Sequence, residues 1–163
     1  MKFNCRPVGL EFLNKAPIKF INEVELNASP AQVFSILENA EAWPHWFKEI
    51  VQVEWHHPKP YGVGTTRTVK LTTITVEEFF FVWEQDKRFA FYLTSMSLPL
   101  AKALVEEYRL IPLGENRSQL TYTVCLEPSF WLRLGSPWLL NSYEQMFQQA
   151  VKDLAVYIHN PAV

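Results

Sequence analysis

Near the end of the chain, Leu139, Leu140, Tyr143, Met146, Phe147, Ala150, Val151, Leu154, Tyr157 and Ile158 recur at steps of three and four residues. That spacing gathers apolar side chains on one side of an α-helix. It predicts one amphipathic helix of about 21 residues, on the order of 30 Å long. Ser136 and Pro137 read as the N-cap and first-turn pair that start it. An apolar face of that length cannot be left in water, so the rest of the chain has to supply an equally extended apolar partner.

The preceding residues supply strands. Over 19–26, Phe20, Asn22, Val24 and Leu26 alternate with Ile21, Glu23 and Glu25, the pattern of a strand with one buried face. Ser29, Pro30, Ala31 and Gln32 combine an N-cap, a proline at the first helical position and a capping-box glutamine, and Val33, Phe34, Ile36 and Leu37 carry that helix to about Glu38. A second short helical or turn segment holds Trp43, Pro44, His45, Trp46 and Phe47. Strands are then expected from Ile50 through Val51, Val53 and Trp55, over 65–73 after the Gly62 and Gly64 turn, and over 74–84. In the last of these, Phe79, Phe81 and Trp83 alternate with Glu78, Phe80, Val82 and Glu84. Further strands are expected over 89–95 after a turn at Asp86 and Lys87, over 104–112, and over 119–127 beyond the turn Gly114, Glu115, Asn116, while Pro99 interrupts 96–102. The first fifteen or so residues show no clear period.

About seven consecutive strands with short connections argue for an antiparallel meander, and the long helix makes the class α+β. A chain of 163 residues without a linker, internal repeat or low-complexity segment is expected to form a single domain over 1–163.

Composition removes several function classes. The formal net charge is −2 and the 15 Lys and Arg are spread along the chain, so no basic stripe for nucleic acid is present. Cys5 and Cys125 are far apart and lie at no metal-ligand spacing, so they are expected to be reduced thiols, with no metal and no cofactor. The turn from Gly62 to Arg67 lacks the Lys and Ser or Thr of a phosphate loop. No apolar stretch is long enough for a membrane span, and Pro7, Glu11 and Pro17 break the N-terminal region as a signal peptide; a cytoplasmic location without stable membrane insertion is expected. What stands out is the 15% of aromatic residues, with 12 Phe, 6 Trp and 6 Tyr.

Local motifs agree with a known family. Asn27 to Phe34 at the first helix, Trp43, Pro44, His45 and Trp46 in the second, Gly62, Val63, Gly64, Thr65 and Arg67 at the glycine turn, Trp83 to Asp86 at a hairpin, and Leu120, Thr121 and Tyr122 in a late strand resemble the START-like (SRPBCC) superfamily, in its polyketide cyclase/dehydrase and lipid-transport branch. The resemblance spans Ile18 to His159. It implies a helix-grip fold, a curved antiparallel sheet wrapped around the C-terminal helix with two short helices after the first strand. It also implies a cavity between sheet and helix that relatives use for small apolar molecules.

The candidate lining residues are Trp46, Phe79, Phe81, Phe91, Met96, Tyr108, Tyr122 and Tyr143, each an ordinary core residue taken alone and together a candidate pocket wall. Arg67, Glu106 and Glu107 lie on strands, where an inward charge could orient a ligand's polar end; the adjacent Glu106 and Glu107 must face opposite ways. Phe130, Trp131, Leu132, Leu134 and Trp138 surround Arg133 in the connection to the last helix, and read as a gate, a lid, or a surface covered by a second copy in a homodimer or by a membrane; Trp138 joins the pocket candidates. Of the histidines, His56 and His57 point apart on a strand, His159 is terminal, and His45 alone merits a test. The expected function is binding or transport of a small hydrophobic molecule, a lipid or polyketide. The alternatives are a cyclase or dehydratase acting in the same cavity, with Arg67, Tyr108, Tyr122 or Glu107 placed against the substrate, or an interaction module without a ligand.

Overall fold

A computed structural model describes residues 1–135 and 137–160. Its elements are β1 (Phe3–Asn4), α1 (Phe12–Lys15), β2 (Ile18–Leu26), α2 (Pro30–Glu38), α3 (Trp43–Trp46), β3 (Ile50–Trp55), β4 (Thr66–Leu71), β5 (Thr75–Glu84), β6 (Arg88–Met96), β7 (Ala101–Gly114), β8 (Arg117–Pro128), α4 (Phe130–Leu134) and α5 (Pro137–His159). The expected α+β class and helix-grip architecture are what the chain adopts: an antiparallel sheet ordered β2-β8-β7-β6-β5-β4-β3, with α5 against its concave face. The expected cap at Ser136 lies outside the described residues.

Local chemistry explains the elements. Gln32 N–H donates to Ser29 Oγ at 3.2 Å and Ser29 N–H to Gln32 Oε1 at 2.9 Å, completing the capping box on α2. Asp86, at φ 63°, turns β5 into β6, and Gly114, at φ 146°, with Asn116, at φ 53°, turns β7 into β8. These are left-handed positions that glycine and short polar residues tolerate best. Phe147 of α5 reaches Phe20, Phe47 and Tyr122 with ring centroids 6.0, 6.5 and 5.7 Å apart, and Ala150, Val151 and Leu154 continue the buried stripe. The helix periodicity thus finds its extended partner in the sheet.

Two features depart from the expectation. The opening residues, which have no period, pair nevertheless: β1 lies along β6, and the chain beyond it bridges the splay between β6 and β7, with Cys5 N–H donating to Thr94 O and Arg6 N–H to Lys102 O. Val8 and Phe12 then cover Ala103, Val105 and Cys125 on the convex face, so the middle of the sheet is buried on both sides. Cys5 and Cys125 are free.

The second departure is in β5. Its register against β6 passes from Phe80 opposite Phe91 to Val82 opposite Ala90, leaving Phe81 as an extra residue, a β-bulge. The bulge resets the alternation, so Phe80 and Trp83 both point inward, with rings 5.4 Å apart, while Phe79 and Phe81 stack on Tyr92 of the convex face. The expectation that Phe79, Phe81 and Trp83 share one face therefore fails.

Candidate functional site

Between the concave face and the helices lies a cavity of about 110 Å³. Strand alternation supplies its wall: Val76 and Glu78 from β5, Leu93 and Met96 from β6, Leu104, Glu106 and Tyr108 from β7, Tyr122 and Leu126 from β8. Trp43 and Phe47 close one side, and Leu132 of α4 with Tyr143, Met146 and Phe147 of α5 close the other. Several lining residues keep some exposure, and of these Leu71, Ile74, Leu100, Tyr143 and Met146 lie at the β4–β5 turn, the loop before β7 and the start of α5, where the cavity opens, while Leu104 and Glu106 are half-buried on β7.

The wall is hydrocarbon or aromatic apart from one cluster. Arg67 of β4 is 1% exposed, and its guanidinium carbon lies 4.5 Å from the Trp43 ring centroid, 5.0 Å from Trp55, 5.1 Å from Phe80 and 5.2 Å from Phe91. Aromatic faces carry negative charge density and stabilise a desolvated cation. Arg67 Nε donates to Glu78 Oε2, its register partner on β5, whereas Nη1 is buried with no hydrogen-bond partner. Further along the wall, the Tyr122 hydroxyl donates to Glu106 Oε2 at 2.5 Å, and the Tyr108 and Tyr122 rings stack at 4.2 Å.

One buried cation thus sits beside the buried Glu78 and the half-buried Glu106, and their environment shifts their protonation. Burial, reinforced by the negative charge of Glu78, pushes Glu106 up to about 8, more than the Tyr122 hydrogen bond and Arg67 bring it down. Burial also raises Glu78, against the pull of the Arg67 guanidinium. Tyr108 and Tyr122 are held well above the ordinary phenol range, by burial first and the nearby Glu106 second. Arg67 and Glu78 form a salt bridge, beside a Glu106 carboxyl whose shift to about 8 favours its protonated form near neutral pH. The arrangement can donate hydrogen bonds into an apolar space.

Of the residues singled out from the sequence, Arg67, Met96, Glu106, Tyr108, Tyr122, Leu132 and Tyr143 come together on the cavity wall. Phe91 points inward but lies in a layer behind, against Phe80 and Arg67. Trp46 is buried on Trp43 at 4.6 Å, away from the cavity, and Phe79 and Phe81 are on the convex face for the reason given above. Trp138 is 72% exposed in the first turn of α5, outside the lining, because the inward positions there begin only at the half-buried Leu139 and Leu140. Glu107 faces outward to Arg88, whose Nη2 is 2.6 Å away, so of the adjacent pair only Glu106 is a cavity residue. His45 stacks on Tyr157 rather than reaching the cavity.

The reading of the sequence passed over Glu78. A hairpin folded about residues 72 and 73 places Arg67 opposite Glu78, as observed, and that register arithmetic was the available signal. Of the apolar residues of α4, Leu132 is buried, while Phe130, Trp131 and Leu134 are 62%, 66% and 64% exposed. No group of three or more His, Cys, Asp or Glu among the described residues could hold a metal ion, and no helix among them is long and apolar enough to cross a membrane.

Comparison with known proteins agrees with this geometry. Residues 17–158 match the family model described as polyketide cyclase/dehydrase and lipid transport. An uncharacterised protein of Mycobacterium tuberculosis (strain H37Rv) is 39% identical over 125 residues, which cover 75% of this chain and 73% of that one. Among solved structures, a START superfamily protein from Mycobacterium smegmatis superposes with a TM-score of 0.74 at 15% identity, covering 88% of this chain and 99% of that one. The major latex-like protein 151 of Panax ginseng superposes with a TM-score of 0.67 at 14% identity, over 86% of this chain and 96% of that one. At these identities the structural likeness shows the fold.

Proposed function

Because the chain belongs to the polyketide cyclase/dehydrase and lipid-transport family, we propose that it binds a small, mainly apolar molecule in the cavity between the sheet and α5. The observation that carries this reading is a space of about 110 Å³ with an apolar wall and one polar cluster. Ligand sites combine such walls with a few convergent polar groups. Size sets the occupant: an apolar cavity of roughly 150 Å³ takes up benzene, whereas drug-sized molecules occupy roughly 300–1,000 Å³. At about 110 Å³ the space is smaller than either, so even a single ring requires the walls to give way. A longer lipid or polyketide requires the opening at Leu71, Ile74, Leu100 and Tyr143 to widen.

Native mass spectrometry of the purified protein, followed by solvent extraction, tests this. The expected result is a mass above that of the chain, which extraction removes and recovers as an apolar compound. A protein that is always empty, and whose melting temperature does not respond to millimolar single-ring compounds, would refute it.

A catalytic reading in the same cavity is favoured by one observation, the Glu106 carboxyl 2.5 Å from the Tyr122 hydroxyl on the cavity wall, since a carboxyl raised to about 8 is suited to proton transfer to a bound carbonyl. Turnover of a polyketide-like substrate that Glu106→Gln abolishes while binding persists would support it; unchanged turnover in that variant would dismiss it.

A further inference from the structure

On the convex side of the sheet a groove of about 480 Å³ lies between the N-terminal segment and α4, and it shares no lining residue with the cavity. We infer that this groove binds a small organic phosphate, and that the bound phosphate fastens α4 over the cavity. Drug-sized ligands occupy roughly 300–1,000 Å³, a range that includes the groove and excludes the cavity of about 110 Å³. Val8, Phe12 and Pro17 give the groove an apolar part. Its charged side chains come from separate pieces of the chain: Arg6 and Glu11 ahead of α1, Lys15 in the last turn of α1, Glu127 in β8 and Arg133 in α4.

These charges are not equally available. Arg6 Nη2 lies 2.6 Å from Glu127 Oε2, and Lys102 Nζ lies 3.8 Å from Glu127 Oε1, so that carboxylate is already compensated. Glu11 Oε1 accepts from Gly9 N–H at 3.2 Å, which holds it to its own turn. Lys15 and Arg133 enter no ion pair with any described residue, and both are exposed at the groove. Two uncommitted cations match the double charge of a phosphate monoester; a carboxylate brings only one charge, and an ammonium is repelled by both. The guanidinium of Arg133 also suits phosphate oxygens, which it can meet through two parallel N–H donors. The site spans two elements. Leu132, the residue before Arg133, is the one that α4 places on the cavity wall. A phosphate held between Lys15 and Arg133 therefore ties the element that closes the cavity to the N-terminal segment.

Phenyl phosphate, benzoate and benzylamine, titrated at fixed ionic strength into isotope-labelled protein and followed by NMR, test the site. Phenyl phosphate is expected to shift the amides of residues 6–17 and of α4, binding at least about tenfold more tightly than benzoate, while benzylamine leaves them unmoved. The double variant Lys15→Gln with Arg133→Gln changes only exposed side chains and is expected to weaken phenyl phosphate about tenfold. Lys87→Gln with Lys152→Gln, at the β5–β6 turn and on α5, removes the same charge elsewhere and is expected to leave binding unchanged. An equal loss in both double variants, benzoate as tight as phenyl phosphate, or no shift of these amides at millimolar phenyl phosphate overturns the site. Cosedimentation with phosphatidylcholine vesicles containing phosphatidic acid, without a response to phenyl phosphate, overturns a soluble ligand in favour of a lipid head group. Hydrogen exchange of the α4 amides is expected to slow when phenyl phosphate is bound. Binding with unchanged exchange overturns the fastening of α4 and leaves the site.

Discussion

A guanidinium with 1% of its surface exposed persists only because Glu78 compensates its charge and four aromatic rings surround it. Removing Arg67 alone would strand a buried carboxylate, a loss of roughly 3–5 kcal/mol. Glu106 has a different dependence. Its carboxyl is raised from 4.5 to about 8, so the folded chain keeps a proton that the unfolded chain releases. The stabilisation that follows is complete below pH 4.5 and is lost as pH rises through about 8. Glu78, raised by the same burial, adds a slope of the same sign, and Arg67, Tyr108, Tyr122 and Tyr143 face the same space, so the test is a difference between proteins. Denaturant unfolding of Glu106→Gln and wild type across that range is expected to show a shallower fall of stability with pH in the variant. Identical slopes would mean that Glu106 is ionised in the folded protein.

At the scale of elements, α4 is the piece suited to open. Ser129 Oγ accepts from Leu132 N–H at 3.2 Å as its N-cap and donates to the Pro99 carbonyl, which fastens α4 to the loop before β7; Leu132 is its one buried residue. Ser129→Ala removes both bonds. Hydrogen exchange of the amides in α4 is expected to accelerate while those of β7 and β8 keep their protection; unchanged exchange in α4 would show that the fastening lies elsewhere. The same scale shows what the residues revealed in advance. Ser29 with Gln32 wrote the start of α2, and the stripe from Leu139 to Ile158 wrote α5, because capping and periodicity are local physics. Two-residue β1 carries no period to detect, since its place depends on the gap between β6 and β7. The bulge at Phe81 is likewise a matter of pairing rather than of local pattern, and it moved Phe79 and Phe81 out of the candidate pocket.

In the whole molecule, the sheet is covered on its concave side by α5 and on its convex side by the N-terminal segment, so the aromatic surplus is divided between two packed layers and a cavity wall. The composition announced the surplus, while its division required the register of every strand. Arg67, Glu106, Tyr108 and Tyr122 were legible because polar or aromatic residues at strand positions could face inward; Glu78 gains its meaning only when β4 and β5 are brought side by side. The account stands or falls on whether that space holds a molecule. A crystal structure of the protein soaked with acetophenone tests it most directly. The predicted result is a ring bounded by Met96, Leu126 and Phe147. A cavity filled by its own side chains, with acetophenone absent or bound only on the outer surface, would contradict it.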